Sequence, residues 1–89
     1  MNVCTVAIGT ETDSSIISPA QRANIVGIKP TVGLTSRAGV IPLSSHQDTV
    51  GVFGRTVADA VRGLDAIYGM DYRDKRTIEQ VGKVPRDGK

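Results

Sequence analysis

The chain has 89 residues, enough for one small domain, and its only aromatic side chains are Phe53, Tyr68 and Tyr72, so any core is aliphatic. The formal net charge of +2 is uneven: residues 1–72 carry five Lys/Arg against six Asp/Glu, and residues 73–89 carry six against three. A single cysteine, Cys4, excludes an internal disulfide and a cysteine-based zinc cluster, and no apolar run is long enough for a membrane span.

Val3-Cys4-Thr5-Val6-Ala7-Ile8 is β-branched and nearly continuously apolar. It reads as a short strand at about 3–8, buried on both faces, with Cys4 a small buried hydrophobe and Gly9 as its end. The run has no basic flank and is too short for a signal peptide, which points to a cytoplasmic protein. Thr10 to Ser15 are turn and cap formers. Ile16 to Asn24 reads as a short helix or an irregular turn, with Pro19 tolerated only near a helix start.

Ile25 to Lys29 reads as a second short strand, closed by Pro30. Thr31 to Ser45 is loop-like, with Val40-Ile41 as a brief strand or buried turn. Ser44 to Gly54 reads as polar and irregular, and His46 beside Asp48 suggests a loop hydrogen-bond pair.

The clearest element is a helix from about Thr56 to Tyr68. Thr56 is a good N-cap with Asp59 three residues on, and Gly69 is placed to end the helix. Val57, Val61, Leu64 and Tyr68 form one apolar stripe at helical spacing, widened by Ala60 and Ile67. Gly63 lowers helix propensity but permits close packing. Residues 73–89 read as a charged, loop-like tail.

The segment that carries chemistry is Gly9-Thr10-Glu11-Thr12-Asp13-Ser14-Ser15-Ile16. Read alone, Ser15 is one of several turn serines, and most such serines satisfy a local backbone donor. There is no G-x-S-x-G elbow, and Ser15, His46 and Asp48 have no spacing that implies a triad. A lone His offers no metal-ligand set.

The whole run, however, resembles the end of the amidase signature, G-T-[DE]-[TI]-[GD]-G-S-I. The resemblance continues through Ser18-Pro19-Ala20, Val26 to Thr31, Gly33-Leu34, Ser36-Arg37, Gly39 to Pro42, Asp48-Thr49, Gly51 and Arg55 to Ala60, in order and at matching spacings. It covers roughly residues 3–72. It implies an α/β fold, a fragment of the amidase-signature fold with a mixed central sheet flanked by helices. Residues 1–72 would then be a partial amidase domain, and 73–89 a tail continuing toward a missing C-terminal part.

The resemblance also implies a Ser–cis-Ser–Lys hydrolase of carbon–nitrogen amide bonds. Ser15 falls on the nucleophile, and the backbone N–H groups of Thr12, Asp13, Ser14 and Ser15 fall on the oxyanion hole. The substrate implied is a small-molecule amide; no cofactor, metal, nucleic acid or membrane partner is implied, and oligomeric state is not assigned. No residue of this chain matches the family's lysine base or its cis-serine, and Lys29 falls on a structural Lys-Pro-Thr segment. The expectation is therefore a chain that is inactive alone.

Four positions depart from the family pattern. Ser14 stands where glycine is usual, and a serine in a left-handed conformation costs about 1–2 kcal/mol. Val52 replaces a proline, Gly54 replaces an alanine, and Ile17 replaces an arginine found in some relatives, which favours a less polar substrate. Two other readings differ in function: a catalytically dead fragment or pseudoenzyme, and a small basic binding module working through residues 73–89. Salt-dependent nucleic-acid affinity lost on deleting 73–89 would distinguish the last.

Overall fold

The structure is a computed structural model that describes residues 4–80. Its elements are β1 (Val6–Glu11), α1 (Ile17–Ala23), β2 (Val26–Ile28), β3 (Thr49–Gly54), α2 (Val57–Ile67) and α3 (Lys75–Glu79). The architecture is α/β, as the sequence implies.

The sheet has the order β1-β3-β2, with β3 antiparallel to both neighbours. Every strand pairing among the described residues is thus antiparallel, not mixed. Registers run from Val6↔Gly54 to Glu11↔Thr49 on one side and from Val26↔Gly54 to Ile28↔Val52 on the other. The first strand is shifted from the expected 3–8: it runs through Gly9 and ends at Glu11. Val3 lies outside the described residues. Cys4 is exposed rather than buried, because pairing begins only at Val6.

β3 is the central strand, yet its sequence, TVGVFG, does not read as one. Its glycines explain both facts. Gly51 faces Gly9 across the ladder, and Gly27 shares their face. The three leave a trough that Ile16 fills, fully buried. A Cβ on Gly51 would collide with the Ile28 carbonyl oxygen and lie 2.6 Å from Ile16 Cδ1; one on Gly27 would meet Ala20 Cβ at 2.8 Å. Glycine inside a strand here marks close approach, not a break.

The opposite face of the sheet carries α2. A Cβ on Gly63 would lie 2.7 Å from Val6 Cγ1, and one on Gly54 would lie 2.8 Å from the Ala60 backbone nitrogen. The sheet is therefore sandwiched between α1 and α2. Thr56 caps α2 by accepting from Asp59 N–H at 3.1 Å, as its sequence predicts. The buried stripe differs from the expected one: Ala60 is fully buried, Gly63, Leu64 and Ile67 are half-buried, and Val57 and Val61 are exposed. Small residues face the sheet because α2 sits too close to it for valine. Pro19 is the third residue of α1, where its missing N–H costs no helical bond, and Asn24 ends that helix at φ 58°.

Residues 31–48 form the expected loop, without a strand at Val40-Ile41; Ile41 is 85% exposed. Thr35 is buried and donates to the Val50 carbonyl at 2.7 Å. The start of the expected loop-like tail is ordered around one buried and one half-buried acid. Asp74 caps α3 through Arg76 N–H at 3.1 Å, and it accepts from Arg37 Nε at 3.0 Å and Nη2 at 3.1 Å. Asp71 accepts from Ser36 Oγ at 2.6 Å, and Thr77, also buried, bonds back to Asp71 and Asp74. Residues 81–89 lie outside the described range.

Candidate active site

β1 delivers the chain into a tight arch between Glu11 and Ile16. Ser14 has φ 65°, the left-handed region that its family position, usually glycine, leads one to expect. Its carbonyl accepts from Ser18 N–H at 2.9 Å, so the chain turns directly into α1. Ser15 stands at the top of this turn, exposed, and its hydroxyl makes no hydrogen bond to any described residue.

The arch is held at both feet by carboxylates. Glu11, at the end of β1, is only 6% exposed. One of its oxygens accepts from Ile16 N–H at 2.8 Å and Ile17 N–H at 3.0 Å. It thereby supplies the cap that α1 lacks from its own N-cap side chain. Burial works to raise its pKa, but the N–H groups of Ile17 and Ile16, the charge of Lys29 and the Ser14 N–H outweigh this and hold it below its ordinary value.

At the upstream foot, Thr12 and Asp48 are the next opposed pair beyond Glu11↔Thr49. There the Thr12 hydroxyl donates to Asp48 Oδ1 at 2.5 Å. Asp48 Oδ2 accepts from Leu43 N–H at 2.8 Å and Ser44 N–H at 3.0 Å. The Thr12 hydroxyl, then the Leu43 N–H, lower the pKa of Asp48 against the effect of burial, with Ser44 and Arg37 adding to the shift.

Of the nominated residues Thr12, Asp13, Ser14 and Ser15, all lie in this one arch. The Ser14 N–H is turned toward Glu11. Those of Asp13 and Ser15 donate to no described residue. His46 and Asp48 do not pair: His46 Nδ1 meets Arg76 Nη2 at 2.7 Å, while Asp48 turns toward Thr12. Sequence reasoning missed Glu11, Asp48 and Ile16 as supports. The available signal was an acid ending a strand just before a run of N–H groups with no strand partner.

A cleft of about 240 Å³, lined by Arg37, Val40, Pro42, Leu43, Arg73 and Asp74, includes no residue of the arch. Among the described residues no group of three or more His, Cys, Asp or Glu is placed to hold a metal ion. Nor is any described helix long and apolar enough to cross a membrane.

The sequence profile of the Amidase family matches residues 1–87. This chain belongs to the amidase family. A Schizosaccharomyces pombe protein named as an amidase is 58% identical over 87 residues, covering 98% of this chain and 15% of that protein. An Arabidopsis thaliana protein named as an amidase is 54% identical over 87 residues, covering 98% and 17%. The crystal structure of a native peptide amidase from Stenotrophomonas maltophilia superposes with a TM-score of 0.85 at 56% identity, covering 86% of this chain and 16% of that one. The amidase segment described here thus spans about one sixth of the length of these relatives.

Proposed function

We propose that this amidase segment supplies the nucleophile and the oxyanion hole for hydrolysis of a carbon–nitrogen amide bond. Ser15 attacks the amide carbonyl, the C–N bond breaks, and the acyl group passes from Ser15 to water. The backbone N–H groups of Thr12, Asp13, Ser14 and Ser15 are the candidates for binding the developing oxyanion; those of Asp13 and Ser15 donate to no described residue, whereas that of Ser14 is turned toward Glu11. Donors fixed before the reaction stabilise that charge without reorganising, which makes the arch a catalytic device.

The observation that carries this reading is the exposed Ser15 hydroxyl, which has no hydrogen-bond partner among the described residues, beside N–H groups of Asp13 and Ser15 that likewise donate to no described residue, in an arch held by Glu11 and Asp48. The names of the relatives above, amidase and peptide amidase, support the bond class. No residue among the 89 falls on the base lysine or the cis-serine of the resemblance. On this reading Ser15 becomes reactive only where those two groups are also supplied, because such residues act as a unit.

A fluorophosphonate probe tests the reading. In a protein carrying the segment together with base and relay, peptide mass spectrometry finds the label on Ser15, and Ser15→Ala abolishes it. The 89-residue stretch alone labels slower by at least about 10³-fold. Labelling that persists in Ser15→Ala overturns the nucleophile assignment; fast labelling of the stretch alone overturns the need for groups beyond it.

A further inference from the structure

The arch is held at two feet by different means. Downstream, Ile16 is buried in the glycine trough and Glu11 holds the N–H groups of Ile16 and Ile17. Upstream, the strand ladder stops at Glu11↔Thr49, and the Thr12–Asp48 side-chain bond continues the cross-strand contact beyond that pair. Asp48 is itself fixed by Leu43 N–H, Ser44 N–H and its place next to central strand β3, so it is an anchored acceptor rather than a mobile surface acid.

From this geometry we propose that Asp48 is a positioning residue for the reaction at Ser15: by holding the Thr12 side chain it fixes the upstream foot of the arch and aims the Asp13 N–H that follows. This inference rests on the nucleophile reading above. Its physical basis is the connection through one peptide unit. The Thr12–Asp13 peptide is planar, so the Thr12 carbonyl, whose direction is set by the backbone that the Thr12–Asp48 bond restrains, fixes the direction of the Asp13 N–H. An oxyanion donor is useful only when it points at the place where charge develops. Asp48 touches neither substrate nor nucleophile and acts through Thr12. The carboxylate has a second consequence: it ties the arch to Leu43 in the loop beside it.

Thr12→Val, Thr12→Ser and Asp48→Asn in the enzyme carrying this segment test the idea. Thr12→Val keeps the shape, removes the hydroxyl, and leaves the Asp48 bonds to Leu43 and Ser44 in place. It should lower kcat by about 10- to 100-fold with KM within about threefold, because a misplaced donor fails in the transition state and not in the ground state. Thr12→Ser, which keeps the hydroxyl, should restore kcat to within about threefold of wild type. Asp48→Asn should fall between these, since its amide has one acceptor oxygen where the carboxylate has two.

A Thr12→Val enzyme that unfolds at lower temperature but keeps its kcat per titrated active site overturns the proposal, because the bond is then merely structural. A wild-type enzyme with no turnover and no Ser15 label defeats the nucleophile reading instead. The clamp is judged in that case by hydrogen exchange of the peptide spanning 12–17. Faster exchange in Thr12→Val, recovered in Thr12→Ser, supports it; unchanged exchange overturns it.

Discussion

Two regions around β3 are held by different physics. Against α2, the contact is one of volume: Gly54 meets the Ala60 backbone, and Gly63 meets Val6 and Val52. At the serine arch, the contact is one of direction, with Glu11 and Asp48 accepting from particular N–H and O–H groups. The first kind of contact fails when a methyl group is added. The second fails when an acceptor is removed, even at constant size. The end of the sheet that would do chemistry is thus the end fixed by hydrogen-bond geometry.

The largest expected effect breaks the comparison at its functional end. In a protein that carries this stretch together with base and relay, Ser15→Ala should reduce amide turnover by at least about 10³-fold, while unfolding stability stays within about 0.5 kcal/mol because the side chain is exposed. Turnover assays and urea unfolding of the same preparations check both halves.

Next come the glycines. Gly51→Ala should destabilise by about 2–3 kcal/mol in urea, since its Cβ meets a backbone carbonyl that cannot move aside. Gly63→Ala should cost less than about 1 kcal/mol, because the clash is with a half-buried valine on an edge strand and alanine raises helix propensity. Equal losses at the two positions would show that volume tolerance does not follow the hardness of the neighbour.

Glu11→Gln should cost about 1–2 kcal/mol at neutral pH, leaving size unchanged but weakening the bonds to Ile16 and Ile17. The sign of its pH dependence follows from the lowered folded pKa. The carboxylate stabilises fully above the ordinary glutamate range, about pH 4–5, and that contribution is lost as pH falls through the folded value. The variant should therefore show a shallower loss of stability below about pH 4 than wild type. Unfolding curves between neutral and acid pH decide it.

One effect runs the other way. Ser14→Gly should stabilise by about 1 kcal/mol by relieving the left-handed backbone at φ 65°. No gain would mean that the surroundings favour serine there.

Much of the site was legible because local sequence carries it. Thr56 as a cap and the helix after it follow from residue type and spacing, and the left-handed Ser14 follows from a serine at a glycine position. Other features were hidden. β3 was misread because its glycines look like breaks until Ile16 and the Ile28 backbone are seen to need the space. The tail was misread because the anchors of Asp74 and Asp71, Arg37 and Ser36, lie more than thirty residues away in sequence.

Sequence by itself determined the family, the α2 cap and the left-handed turn at Ser14, since each rests on neighbours in the chain or on collinear residues. Only the tertiary structure decided the sheet order, the exposed face of α2, and the roles of Glu11 and Asp48. Glu11 could be recognised as a cap only once the arch brought the Ile16 and Ile17 N–H groups back to it, and Asp48 as a clamp only once β3 lay beside β1. A carboxylate's partner is set by distance in space, and residues 12 and 48 become neighbours only when the sheet forms.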